Sequence, residues 1–240
     1  YKDQLLKMRI DIAAKMWEVR KENILFEGAQ GAMLDIDSGT YPYVSSGASG
    51  SYGASSGSGI GPRAIDKIYG VFKAYETRVG NGPMPTEFNA DSEGELCDYV
   101  RKTGNEFGVT TGRARRCGYL DLVALRYACH VNSIDSLVLT HLDVYDEMEE
   151  IEACIAYDID GKIVTDFPTS IPELNKAKPV LQKFKGWKQN ITKLSKYSQL
   201  PKNAKLYIDF IESYCDTKVG IVSVGPDRNQ TFNREKIWKK

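Results

Sequence analysis

The sequence predicts an α/β fold: a largely parallel central sheet with flanking helices, plus a small antiparallel hairpin region. Two observations carry this. Apolar, β-favouring runs at 136–140 and 219–224 each end in polar or glycine-bearing residues, and helical stripes lie between such runs. In addition, "EIEACIAYDIDGKIVTDFP" reads as two extended runs joined by Asp160–Gly161, a dipeptide suited to a tight turn.

The elements follow in order. Residues 2–20 predict one amphipathic helix, because Leu5, Met8, Ile12, Met16 and Val19 recur at three- and four-residue spacing. Ile24–Phe26 predicts a short buried strand running into Glu27 and glycines. A stretch dominated by Gly and Ser spans 43–63 and ends at Gly61–Pro62, where Pro suits the first turn of a helix over 63–77. The Gly- and Pro-rich segment 79–88 predicts turns, and a polar helix follows over 93–102. Leu120, Val123, Ala124, Tyr127 and Ala128 predict the next helix. Strands are expected over 136–144, with a polar tail from Thr140, and over 219–228, with a Gly-Pro tail, and a helix over 203–214. The sequence assigns no element to 172–185.

The bulk numbers bound the possibilities. The chain has 240 residues, 42% hydrophobic and 27% charged, enough to bury a sizeable core. Lys+Arg and Asp+Glu both number 32, which argues against wholesale attraction to nucleic acid or anionic lipid. No apolar run is long enough to cross a bilayer. The five cysteines are scattered without metal-ligand spacing and read as free thiols of a reducing cytoplasm; with two histidines there is no His-rich metal site. The Gly/Ser composition of 43–63 suits a linker, but the stretch joins a predicted strand to a predicted helix. A loop inside one domain portion spanning 1–240 is the expectation, with no linker at 43–63.

Four segments could carry chemistry. In "FEGAQG", Gln30 offers an amide donor and a carbonyl acceptor, and Ser45 and Ser46 add hydroxyls; the alternative is a tight turn with a solvated Gln. "VTTGRARR" places Arg113, Arg115 and Arg116 close together, suited to carboxylate or phosphate, or simply a basic surface loop. "LTHLD" ends a strand with the T-x-x-D pattern of guanine-reading motifs. An ionised Asp is acceptor-only, so Asp143 matches the two N–H donors of guanine, while a helix-capping Asp is the alternative. "SVGPDR", from Ser223, is another glycine-bearing strand end.

Taken together, "LFEGAQGAMLDIDSGTYPYV", "GNEFGVTTGRARRCGYLDLVALRYA", "LTHLDVYD" and "VSVGPDRNQT" resemble the adenylosuccinate synthetase family, in family order across nearly the whole chain. The resemblance implies a cytoplasmic homodimeric ligase of AMP biosynthesis that joins IMP and L-aspartate at the expense of GTP, with Mg2+ as cofactor and no nucleic-acid or membrane partner. It assigns Gln30, Ser45 and Arg113 to IMP. It assigns Val109, Thr110, Thr111, Gly112, Arg113, Ala114 and Arg115 to a loop closing on aspartate. Arg115, His141, Leu142, Asp143, Ser223, Val224 and Gly225 fall to GTP. The family's glycine-rich phosphate loop, its general-base Asp and its general-acid His have no counterpart here and are expected upstream of Tyr1. No catalytic or metal-binding residue is therefore assigned within the chain, and the chain alone is expected to be inactive. Three departures stand out: "SSGASGSYG" replaces "SSNTTAGG", His141 replaces a Lys, and Ser45 replaces a Thr. The altered Gly/Ser loop and His141 motivate the alternative of a non-catalytic purine-nucleotide-binding paralogue.

Overall fold

The computed structural model describes residues 1–108 and 112–237. It divides into two compact units, Tyr1–Ile68 and Tyr69–Ile237.

The first unit carries helices α1 (Lys2–Met8), α2 (Ile12–Glu18) and α3 (Gly53–Ser58). One helix over 2–20 was expected; the structure breaks it at Arg9–Asp11. The cause is local: the Asp11 carboxylate accepts from Ala14 N at 3.0 Å and caps α2, a bond that requires Asp11 itself to be non-helical. The expected strand at Ile24–Phe26 does not form, and Leu25 is 74% exposed. A strand needs a hydrogen-bonding neighbour, and none pairs with this segment among the described residues. The Gly/Ser stretch is folded inside this unit. Its α3 ends at Gly59, whose φ of 73° is the left-handed conformation that terminates helices.

In the second unit the main sheet contains β1 (Tyr69–Lys73), β5 (Ser136–Thr140), β9 (Val219–Ser223) and β10 (Thr231–Asn233), in the order β1-β5-β9-β10. The β1, β5 and β9 strands are mutually parallel, and β10 is antiparallel. This bears out the parallel sheet but corrects the expected helix over 63–77. Only Pro62–Ala64 forms a 3-10 turn; β1 and β2 (Glu76–Arg78) replace the rest. The spacing of Ile65, Ile68, Phe72 and Tyr75 satisfies a helix, yet Tyr69, Val71 and Phe72 favour a pleated strand. At Gly70 a Cβ would lie 2.3 Å from Ile134 Cδ1, so glycine allows β1 to close on its neighbours.

Two smaller sheets complete the unit. The β2 strand pairs antiparallel with β3 (Arg116–Gly118). The long β6 (Glu150–Ile159) pairs with β4 (Leu120–Asp121), β7 (Lys162–Val164) and β8 (Lys178–Lys185). The predicted hairpin is β6–β7, with Asp160 and Gly161 both at positive φ in its turn. Residues 172–185, unassigned from sequence, hold α6 (Ile171–Lys176) and β8. Three helices match expectation: α4 (Gly94–Thr103), α5 (Leu122–Asn132) and α7 (Lys202–Cys215). The α7 helix buries Ala204, Tyr207, Ile208, Ile211 and Cys215, one stripe at helical spacing. Every buried hydrophobic side chain among the described residues lies between Ala74 and Phe232, so the core belongs to the second unit.

Candidate functional site

Three parallel strands end on the same side of the main sheet. The register pairs Lys73 with Thr140 and Leu139 with Val222. The segments Lys73–Tyr75, Thr140–Asp143 and Ser223–Gly225 therefore leave the sheet side by side, at the edge where α/β sheets bind ligands. Hydrogen bonds fix the geometry there. Ala74 N donates to Thr140 O at 2.9 Å, and Thr140 Oγ1 to Phe72 O at 2.9 Å. The Ala74 carbonyl accepts from Tyr145 Oη at 3.0 Å and Tyr207 Oη at 3.3 Å. His141 follows with φ 57°, and a 3-10 turn over Leu142–Tyr145 carries Asp143. Left-handed backbone costs an L-residue about 1–2 kcal/mol, strain that clusters at functional sites. Burial pushes the Asp143 carboxyl up, opposed by its own backbone amide and by His141. Leu142 is buried beneath this turn. On the neighbouring strand end, Ser223 Oγ donates to Gly225 O at 2.9 Å, and Val224 N to Gln230 O at 2.8 Å.

A buried carboxylate ties this edge to the basic loop. Glu106, with its side chain 1% exposed, accepts from Lys73 Nζ at 2.7 Å, Tyr75 Oη at 2.5 Å and Arg115 Nη1 at 2.8 Å. Burial pushes its carboxyl up, but the Lys73 and Tyr75 hydrogen bonds, the Lys73 charge and Arg115 outweigh that and hold it below the ordinary carboxylate range. Tyr75 Oη also lies 3.1 Å from His141 Nδ1. Arg115 and His141, assigned by resemblance to one nucleotide, are thus joined through Glu106 and Tyr75. Glu106 and Tyr75 carried no sequence-based role; the only signal was a lone acid immediately before a cationic loop.

The loop itself closes on backbone bonds. Arg115 N donates to Glu106 O at 3.0 Å, Gly108 N to Arg113 O at 2.8 Å and Gly112 N to Gly108 O at 2.7 Å, with a bridge between Phe107 and Ala114. Val109, Thr110 and Thr111 lie outside the described residues. Arg113 is exposed, while Arg116 turns away to a bidentate pair with Glu87. A cleft of about 400 Å³ opens on the α4 side of Arg115. All three guanidinium groups that line it are already engaged, Arg101 by Asp98, Arg115 by Glu106 and Arg116 by Glu87.

In the first unit, Gln30 has φ 63° and its Oε1 lies 3.5 Å from Ser49 Oγ. Ser45 Oγ donates to Leu34 O at 3.0 Å and meets Ser49 Oγ at 3.3 Å. Behind them Asp35, fully buried, accepts from the amides of Asp37, Ser38, Ser49 and Gly50 and from the hydroxyls of Ser38 and Tyr52. Burial would push its carboxyl up, but the Tyr52 hydroxyl and the amides of Ser38, Gly50 and Asp37 hold it far below the ordinary range. No cluster of three or more His, Cys, Asp or Glu side chains suited to a metal ion occurs among the described residues.

The fold and this edge define an α/β protein with its polar and strained residues gathered at the carboxyl ends of parallel strands. The chain belongs to the adenylosuccinate synthetase family, whose model matches residues 1–232. It is 49% identical over 217 residues to adenylosuccinate synthetase of Clostridium perfringens, covering 90% of this chain and 50% of that protein. The enzyme of Gloeothece citriformis is 48% identical over 234 residues, covering 97% of this chain and 51% of its own length. A fully ligated adenylosuccinate synthetase from Plasmodium falciparum superposes with a TM-score of 0.88 at 40% identity, over 94% of this chain and 54% of that one. The cyanophage S-2L succinoaminodeoxyadenylate synthetase shares the fold alone, with a TM-score of 0.50 at 17% identity, over 88% of this chain and 46% of that one. The chain spans about half the length of the curated relatives it matches.

Proposed function

We propose that this chain carries the guanine-reading edge and the substrate loops of an enzyme that ligates IMP and L-aspartate with GTP, giving adenylosuccinate, GDP and phosphate. The observation that carries the reading is the side-by-side exit of 73–75, 140–143 and 223–225 from parallel strands, with His141 in strained backbone two residues before Asp143.

The chemistry follows from the groups. The six-oxygen of IMP is a poor leaving group; phosphorylation by GTP makes it a phosphate ester. The amine of aspartate attacks C6, the C–O bond breaks, and phosphate departs. Asp143 accepts the two adjacent N–H donors of guanine, and an adenine there would leave the carboxylate unmatched, a cost of about 1–3 kcal/mol. Leu142 and the 223–225 turn wall that pocket. Gln30 and Ser45 contact IMP, on the base and phosphate sides respectively. Arg113 pairs with the carboxylates of aspartate and reaches IMP, with 109–115 closing over them, and Arg115 faces GTP. On this reading 43–63 is part of the substrate surface rather than a linker. Mg2+ accompanies the triphosphate, and the working form is a cytoplasmic homodimer; five free thiols, four of them buried, suit a reducing compartment.

The test is adenylosuccinate formation by the native polypeptide that carries this sequence, omitting IMP, GTP and aspartate in turn. Product should require all three, and Asp143→Asn should lower the preference for GTP over ATP by about tenfold. Binding of IMP or GTP without any product would favour a non-catalytic paralogue. Unchanged discrimination in the variant would place guanine reading elsewhere.

A further inference from the structure

The contacts around Tyr75 fix where one proton must sit. Glu106 is ionised and acceptor-only, so the 2.5 Å contact with Tyr75 Oη is a bond that the phenol donates. Burial, then Glu106, raise the phenol pKa well above its ordinary value, so Tyr75 keeps its single proton and spends it on Glu106. Its oxygen can then only accept from His141 Nδ1, 3.1 Å away. That nitrogen must carry a hydrogen. The neighbouring charges are Lys73, Arg115, Glu106 and Asp143; burial and then Lys73 lower the imidazole pKa, so the ring is neutral near pH 7. A neutral ring with hydrogen on Nδ1 has a bare lone pair on Nε2.

We propose that Glu106 is a positioning residue which holds Arg115 directly and, through Tyr75, fixes His141 as the Nδ1–H tautomer, leaving Nε2 as a hydrogen-bond acceptor in the base-reading turn. The turn then offers two kinds of acceptor, the Asp143 carboxylate and an imidazole nitrogen, to a ligand edge rich in N–H donors. A Lys at this position could only donate. The identity of that ligand as guanine rests on the reading above; the tautomer does not. The arrangement also makes loop and pocket one assembly, because the same carboxylate anchors the Arg115 guanidinium at the loop base.

The experiment reads the imidazole nitrogens by long-range 1H–15N NMR of the 240-residue chain, without nucleotide, at about pH 7.5. Of the two histidines, the exposed His130 is removed as His130→Gln, leaving His141 alone. The expected spectrum shows a pyrrole-type Nδ1 and a pyridine-type Nε2. Tyr75→Phe deletes only the hydroxyl and should move both shifts toward the opposite tautomer, a change that lost packing alone would not produce. A pyridine-type Nδ1 in the parent chain, or shifts indifferent to Tyr75→Phe, would overturn the proposal. The parent spectrum decides even where the variant fails to fold. Because no nucleotide is present, a failed guanine reading would leave this result standing, and the two failures are told apart.

Discussion

A buried carboxylate that accepts only from backbone amides and hydroxyls is a simple device for shaping a glycine-rich loop, and Asp35 is one. Its two oxygens gather amides from 37–38 and from 49–50, so one residue joins two arms of a stretch that has little apolar surface to bury. The folded-state pKa is depressed, so the stabilisation is fully present above the ordinary carboxylate value of about 3.9 and is lost only as pH falls through the lower folded value. The amide shifts of Ser49 and Gly50 should therefore stay native from neutral pH past pH 4 and titrate below it. In Asp35→Asn, where an NH2 group faces amide donors, both shifts should turn random-coil-like at every pH, at a cost of about 1–3 kcal/mol to the unit. A midpoint at the ordinary carboxylate value would mean that the cage is not formed in solution. None of this is legible in the sequence, where Asp35 is one acid among the small and polar residues of 27–50 and its amide partners lie up to 15 positions away.

At the scale of elements, what could be read depended on whether a signal was local. The ends of β5 and β9 were legible because a β-favouring run stops abruptly at polar residues, and α5 and α7 because their stripes repeat over three turns or more. β1 shows the opposite case: Ile65, Ile68, Phe72 and Tyr75 fit helical spacing, and the deciding fact is the neighbouring strand, which no local pattern contains. The same holds for Ile24–Phe26, apolar enough for a strand but unpaired among the described residues. Of the site, Asp143, His141 and the basic loop were visible as motifs, whereas Glu106 acts through Lys73, Tyr75 and Arg115, contacts 33, 31 and 9 positions away. A second long-range pair sits where β2 meets the β4–α5 junction. Asp121 caps α5 by accepting from Ala124 N at 3.0 Å and holds β6 through Tyr157 Oη at 2.6 Å. Burial pushes the Asp121 carboxyl up, and burial together with the Asp121 charge pushes Glu76 up. For acids raised in the folded state the sign reverses relative to Asp35: the fold binds more protons than the unfolded chain, so stability falls as pH rises from the unfolded value near 4 toward the folded one. Glu76→Gln removes the charge that must be ionised beside Asp121. It should melt higher than the parent at about pH 8 and nearly with it at about pH 4. An equal shift at both pH values would show that the effect is packing and not charge.

At the scale of the whole molecule, the two units differ in how their apolar residues are used. The second unit encloses its aromatic and aliphatic residues, with Tyr145 and Tyr207 edge-on to one another and Phe184 and Phe210 packed alongside. The first unit leaves Leu5, Met8, Ile10, Ile12, Trp17 and Leu25 exposed and contributes no buried hydrophobic side chain among the described residues. Fully burying one large apolar side chain is worth about 1.5–3 kcal/mol, so cooperative stability resides where such burial occurs. A polypeptide starting at Tyr69 therefore keeps the main sheet, the β6 sheet and α4, α5 and α7 with all of their buried apolar residues. It should unfold in one transition, with a Tm within about 4 °C of the 240-residue chain, the shift expected for at most ~1 kcal/mol in a domain of this size. The removed unit, lacking a core of its own, should contribute little to the calorimetric enthalpy. Its exposed apolar surface should instead appear as binding of a hydrophobic dye by the longer chain that the shorter one lacks. A collapse of the transition on truncation would mean that 1–68 supplies stability through something other than apolar burial, and the hydrogen-bonded cage around Asp35 would then be the first place to look.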